Sequence, residues 1–562
     1  MAPNNQVAPL ALESGYASNT ISAKVTFLGR KRNDTFWAAL FLLALLVHVG
    51  LGLNLIASQN VEFGNFDISE PNVYRGQSGD GVFYSMRVTS SSFTAKIQEC
   101  NSNNSNGRLL EKTSSRDLWS IMATNPHIPI VMILMAPVMA VLWIFALYVF
   151  AFQMTWLSVV SSCAFYILIG AAMYAEGAEG SVPLMLIGVG ISMLGFSLFA
   201  RNLINQSAKH LKMATLVLSK VKKVFLVGAM LQCVLIGFIF LTFQFWISAA
   251  KVWQLDPNTC ALTPAPTSSI ATFLAIFLIW FCFFMDGLKM VITAISVGSW
   301  YFEEADGVVD PFCAAKMVFA NSIGSVAIGS GITAIVEYII RNATNKLWFL
   351  SPWGCILKCI FLGFQSCFMA FARFSLICHA FTGASYFSCS RQALSVMEKG
   401  FTGAYVNDRV GVAVIRSGAH LISISIGLLA WYWLDQVEDW TSVSDFMDMA
   451  TSNLLAFLMY FLLYVWLTKN PMITICLIVM IQNIISSLAI EVIHAPMFGI
   501  FVSCISCIVL DFQGDIILNA LDTIFMCFAL GKENKIAKPV EGEKAQMYLL
   551  IEDFPEAKLV QT

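Results

Sequence analysis

The sequence predicts an all-α polytopic membrane protein: a helical bundle of ten to twelve transmembrane helices, some discontinuous, with one large extracellular loop. Three observations predict it. At least ten runs of about 20 apolar residues lie between Phe36 and Leu530, and about 20 residues is the length an α-helix needs to cross a hydrocarbon core. Hydrophobic residues are 57% and charged residues 12% of the 562, whereas a soluble domain is about 25% charged. The mean hydropathy is +0.72. A net charge of −2 offers no basic surface for nucleic acid, which leaves the lipid bilayer as the expected environment.

The elements follow in order. Residues 1–35 read as a cytoplasmic tail, because Lys24, Arg30, Lys31 and Arg32 precede the first apolar run and basic residues stay inside. That run, 36–57, reads as an anchor helix rather than a signal peptide: it is long, and no small-residue cleavage site follows it closely. Residues 58–127 form the polar extracellular loop. Residues 128–530 form the transport bundle, and 531–562 a cytoplasmic C-terminal tail.

Within the bundle the second and third spans are about Ile128–Phe150 and Gln153–Tyr174, and the fourth about Val182–Ala200. The stretch Arg201 to Lys223 is the most basic of the chain, with Arg201, Lys209, Lys212, Lys220, Lys222 and Lys223, and belongs in the cytoplasm. The fifth to ninth spans are about Val224–Ile247, Ile270–Val297, Ala314–Ile340, Cys355–Phe381 and Val410–Leu434. An acidic loop, Asp435 to Asp448, is expected outside. The runs Ala450–Leu467 and Met472–Ile490 are split by Lys469-Asn470-Pro471 and read as a hairpin. The last run starts near Pro496 and turns amphipathic at Asp511, Asp515, Asn519 and Asp522, as a helix leaving the bilayer on the cytoplasmic side would. Both termini are then cytoplasmic.

Cysteine usage adds little chemistry. Most of the 15 Cys lie inside apolar runs, where they act as small hydrophobes. Cys504 and Cys507 form a lone CxxC without a partner pair, so spacing gives no metal site, and no cofactor is expected. Cys100 and Cys260 are the two assigned to outer loops, so a Cys100–Cys260 disulfide is expected. Asn103-Asn104-Ser105 is a glycosylation sequon at Asn103 in the first of those loops.

Charges inside spans are costly unless paired or wetted. Asp286 and Lys289 share a face of the sixth span, Glu337 lies in the seventh, and Arg373 and His379 lie in the eighth. They suit either a buried pair that fixes helix packing or a substrate or proton path; Lys289 and Glu337, nearer span ends, also suit snorkelling. Aromatics crowd the same region: Trp280, Phe283 and Phe284, then Trp300, Tyr301 and Tyr386. An organic ammonium is held by cation–π contact with such rings, with a carboxylate close by. Trp280, Phe283, Phe284, Asp286, Trp300, Tyr301 and Tyr386 are therefore the candidate binding residues, placed near the bilayer midplane. Ordinary lipid-facing or core packing explains any one of these rings equally well. Small residues at 323–331 and 379–385 permit either close helix packing or local unwinding.

Three segments resemble a known family. Trp300-Tyr301-Phe302 with the Gly324–Ser330 segment, Tyr386-Phe387-Ser388-Cys389-Ser390-Arg391-Gln392-Ala393-Leu394, and Leu521-Asp522-Thr523-Ile524-Phe525-Met526-Cys527-Phe528 are similar, in order, to segments of the choline transporter-like proteins (solute carrier family 44). The resemblance covers roughly Trp280 to Phe528. It implies a transporter of choline or a related small organic cation, by proton exchange in some members, in the plasma membrane or an organelle. Ethanolamine and thiamine pyrophosphate are alternative substrates. The family has ten spans; the hairpin Ala450–Ile490 adds two and preserves parity. A membrane-embedded lipid-modifying enzyme is the competing class, which requires a His or Cys at a membrane-facing cavity.

Overall fold

The computed structural model describes residues 32–63, 73–77, 83–89, 91, 127–175, 181–255, 262–302, 308–346, 352–398, 402–437 and 494–533. The expected hairpin, most of the acidic loop, Cys100, Cys260 and Asn103 lie outside the described residues. Within them the chain is helical: α1 (Thr35–Ser58), α2 (His127–Ala175), α3 (Ser181–Phe199), α4 (Arg201–Lys220), α5 (Lys223–Ala250), α6 (Ser268–Phe302), α7 (Pro311–Asn321), α8 (Ile323–Lys346), α9 (Pro352–Thr382), α10 (Tyr386–Glu398), α11 (Thr402–Val437) and α12 (His494–Glu533). Six of these helices hold stretches long and apolar enough to cross a membrane, or up to eight if each of two sharply bent pairs is one span.

The second and third expected spans meet where α2 kinks, at Phe150 (φ −123°, ψ 37°). Later breaks differ from the expected spans. The basic stretch after α3 is itself helical, bent 77° from α3. Ile204, Ala208, Leu211, Ala214, Val217 and Leu218 of α4 are buried, while Arg201, Lys209, Lys212 and Lys220 are exposed. A helix with charges along one face only lies along a surface instead of crossing a bilayer. The expected seventh span is divided at Ser322 into α7 and α8. The eighth ends at Gly383, whose φ of 64° favours a residue without Cβ, and α10 leaves at 111°.

At one end short strands close the bundle. β1 (Val61–Phe63) and β2 (Val73–Gln77) flank β3 (Phe83–Val88) in an antiparallel sheet, and β4 (Trp253–Leu255) pairs with β5 (Leu262–Pro264). Asn60 joins the two segments: its Nδ2 donates to Trp253 O at 2.6 Å, and its Oδ1 accepts from Trp253 N at 2.9 Å.

An aromatic seam sets the relative heights of the helices. Phe41 of α1 stacks on Phe284 at 4.1 Å and meets Trp280 edge-on at 5.2 Å. Leu55 shares a buried cluster with Phe245 of α5 and Leu274 of α6. α1 and α6 are therefore antiparallel, level at the Leu55 end. With 35 residues against 24, α6 extends past the start of α1 by about 16 Å at 1.5 Å per residue. Asp286, just beyond Phe284, thus stands nearer the start of α1 than its midpoint, and one residue past the midpoint of α6.

Candidate functional site

Lys289 is a primary amine at 2% residue exposure in the middle of a long apolar helix. Such a charge persists only when its protons find partners. Its Nζ lies 3.0 Å from Asp286 Oδ1 on the same face of α6 and 3.2 Å from Asp515 Oδ2 of α12. It also donates to Phe512 O at 3.1 Å and sits 3.6 Å from the centre of the Phe512 ring. One cation therefore joins two carboxylates from different helices, and the cation–π contact adds to the pairing.

The partners come from a polar stripe on α12. Cys507, Asp511 and Asp515 follow at intervals of four, and Asn519 and Asp522 continue the same side. Over 15 residues the stripe is about 22 Å long. It faces inward: Asn519 and Asp522 are buried, and Arg373 Nη1 of α9 lies 3.7 Å from Asp522 Oδ2. The amphipathic pattern expected to mark a helix leaving the bilayer instead marks the polar side of the most buried apolar helix among the described residues. Arg416 of α11 stands within electrostatic reach of Asp511 and Asp515. Among the described residues, four carboxylates (Asp286, Asp511, Asp515, Asp522) share three fixed cations (Lys289, Arg373, Arg416).

The candidate aromatic residues do not converge. Trp280 and Phe284 turn towards α1 and α8, where Trp280 Nε1 donates to Ala327 O at 3.1 Å. Phe281 stacks on Phe238 of α5 at 3.9 Å. Phe283 is half-buried and shares the opposite face with Asp286, whose side chain is 47% accessible. Trp300 and Tyr301 are some 20 residues further along α6, about 30 Å from Trp280. There Trp300 is buried with α4, α11 and α12, and Tyr301 packs beside it. Tyr386 is buried at the start of α10, in the space that Gly329 leaves open. His379 is 1% exposed, with Nδ1 2.6 Å from Ala384 O. Glu337 pairs with Gln365.

The small-residue segments meet the residues just ahead of α1. Asp34 Oδ2 accepts from Ser325 Oγ at 2.7 Å and from the Tyr386 amide at 2.9 Å. Asn33 Nδ2 donates to Gly383 O. Gly324 leaves room for the Asp34 backbone, which a Cβ would strike. Asp34 (φ 55°) thus fastens the start of α1 to the breaks before α8 and after α9. Sequence reasoning missed Asp34, Asp515 and Arg416. Asp34 precedes the first apolar run, where a polar residue is unremarked, Asp515 lies in the stretch read as leaving the bilayer, and Arg416 is a charge inside the expected ninth span that its span marked and the reading passed over.

A family model described as plasma-membrane choline transporter matches residues 184–533, well over half of the chain and all of the polar network. The chain is also similar to Protein PNS1 of Gibberella zeae (strain ATCC MYA-4620 / CBS 123657 / FGSC 9075 / NRRL 31084 / PH-1), with 26% identity over 175 residues. That match takes in 29% of this chain and 32% of the relative, so it spans about a third of the relative's length.

Proposed function

This chain belongs to the plasma-membrane choline transporter family, and from that premise we propose that it carries choline or a related small organic cation, in exchange for protons. The observation that carries the reading is the half-accessible Asp286 carboxylate beside Lys289, at the edge of a polar network on α6, α9, α11 and α12. A carboxylate in apolar surroundings is stable only when a proton or a cation balances it. Exchange of one for the other at the same carboxylates is cation–proton antiport. Asp286 is the member best placed to meet a cation, being 47% accessible with Phe283 on its face. Ethanolamine bears the same charge and fits the same argument. Thiamine pyrophosphate brings phosphates that this network repels. Lipid-modifying chemistry at His379 is disfavoured by its burial.

The wider reading has ten to twelve spans, both termini cytoplasmic, a location in the plasma membrane, and the 58–127 loop outside with glycosylated Asn103. Residues 1–35 and 531–562 are its tails. Asp286 then faces the cytoplasmic half of the bilayer, because α1 begins on that side.

Uptake of labelled choline by the purified chain in vesicles, with a pH gradient imposed, tests the proposal. Wild type is expected to accumulate choline when an imposed outward proton gradient drives the exchange. Asp286→Asn keeps the shape and removes one charge; its uptake should fall at least about tenfold and lose its pH dependence. Normal uptake by a well-folded Asp286→Asn overturns the role of Asp286, and no uptake of choline or ethanolamine by wild type overturns the substrate class.

A further inference from the structure

The α12 stripe continues past the Lys289 pairings to a second group of donors. His420 of α11 places Nδ1 3.1 Å from Cys507 Sγ, and that sulfur lies 3.7 Å from Asp511 Oδ2. One donor atom from each of the three residues lies within 4.8 Å of the other two. We propose that His420, Cys507 and Asp511 form a binding site for a borderline-soft divalent transition metal such as Zn2+, bridging α11 and α12.

The donor set, its spacing and its charge all favour this. Thiolate, imidazole and carboxylate together suit zinc and its neighbours and not calcium or magnesium, which take oxygen ligands. With metal–sulfur bonds near 2.3 Å and metal–nitrogen or metal–oxygen bonds near 2.0 Å, tetrahedral donors stand about 3.3–3.6 Å apart, close to the separations here. Cys507 and Asp511 are one helical turn apart on α12, and the third ligand comes from the facing helix. The two helices approach closely enough for short side chains to meet: a Cβ on Gly427 would lie 2.6 Å from Gly499 O. Among the described residues Asp511 Oδ1 is buried without a hydrogen-bond partner, which an acceptor avoids unless something else satisfies it.

The charge balances. A divalent ion brings two positive charges, and Cys507 releases its thiol proton to solvent as the metal–sulfur bond forms. The site gains one net positive charge, which offsets the Asp511 carboxylate. Arg416, one turn from His420, is exposed, so its repulsion of the ion is screened. Three protein ligands leave a fourth position for water. Cysteine spacing could not reveal such a site, because its ligands come from two helices and include one cysteine.

The test is a titration of the purified, metal-free full chain in micelles with Co2+ alone, followed by absorbance. One equivalent should produce the near-ultraviolet thiolate-to-cobalt band and the visible bands of a tetrahedral ion, both lost when Zn2+ is added. Cys507→Ser should abolish the near-ultraviolet band while Cys504→Ser retains it. His420→Ala should weaken binding at least about tenfold, since losing even an outer-sphere partner costs that much. If Cys507→Ser fails to elute as a monodisperse peak, the same Co2+ titration of His420→Ala, read by the strength of the near-ultraviolet band, replaces it. Absence of the band in wild type, its survival in folded Cys507→Ser, or an unweakened band in folded His420→Ala overturns the proposal. None of these readouts depends on transport.

Discussion

Replacing Lys289 by Met removes the one cation that Asp286 and Asp515 share, and the structure sets the size of the effect. Breaking a fully buried ion pair by deleting one partner costs about 3–5 kcal/mol, because the other charge is stranded. Here the stranded carboxylates are 47% and 26% accessible, so water recovers part of that cost. A discounted figure is about 2 kcal/mol, and the contact with the Phe512 ring adds about 1 kcal/mol. Lys289→Met should therefore destabilise the chain by about 3 kcal/mol, a hundredfold change in the folded-to-unfolded ratio at about 1.4 kcal/mol per factor of ten. Denaturant unfolding of purified protein in micelles measures it. Adding Asp515→Asn to Lys289→Met removes one stranded charge and should restore at least about 1 kcal/mol. Strict additivity of the two substitutions, or a single variant within about 0.5 kcal/mol of wild type, would refute the reasoning, because groups joined in one network do not behave independently.

Gly427→Ala puts a Cβ 2.6 Å from both Gly499 O and Ser503 Cβ, so it should cost about 1–3 kcal/mol, whereas Gly411→Ala on the same helix meets nothing within 4 Å and should gain up to about 1 kcal/mol; thermal unfolding in micelles compares them. Asp34→Asn keeps an acceptor and a residue tolerant of positive φ and should cost about 1 kcal/mol, while Asp34→Leu loses both hydrogen bonds and should cost about 3 kcal/mol in the same measurement. On the outer face, a tag at Asn470 should bind antibody only after cells are permeabilised, and one between Asp435 and Asp448 without it; surface binding at Asn470 would bring the count back towards ten. A Cys100–Cys260 disulfide should join their two peptides in a non-reducing mass map, and free thiols at both positions would dismiss it.

How much was legible depends on whether a residue's signal is local. Span positions are local, since about 20 apolar residues in a row leave few other readings; thus α6 and α9 fall close to the expected sixth and eighth spans. Breaks are less local. Gly383 marks one because its positive φ favours glycine, and the break at Ser322 falls one residue before the small-residue stretch 323–331 that permitted unwinding, although that composition allowed close packing equally well. The neighbouring Gly324 and Ser325 are contacted by Asp34, almost 300 positions away. The candidate aromatic rings do not all meet, for a geometric reason. Trp280 and Phe283 are three apart, yet the first turns to α1 and α8 and the second to the Asp286 face, because the neighbouring helices set which way each ring is useful.

The α12 stripe carries the strongest lesson about mechanism. Helical periodicity reports that polar residues share a side, and it is silent on what that side meets. In a soluble bundle the polar side meets water, which is why Asp511, Asp515, Asn519 and Asp522 read as a helix leaving the bilayer. Lipid reverses the inference. Once an apolar surface costs nothing on the outside, a carboxylate has reason to turn inward, towards bases on other helices. The sign of that inversion was present in the sequence as a complementarity and not as a motif: Arg373 and Arg416 sit in apolar spans without a local acid, and three aspartates sit in one later helix without a local base. Buried charges must be balanced across the bundle where a span does not balance its own. By that rule, charges compared across all spanning segments locate a polar network better than any one segment does, and its most accessible carboxylate, Asp286, is where a moving cation or proton is to be sought.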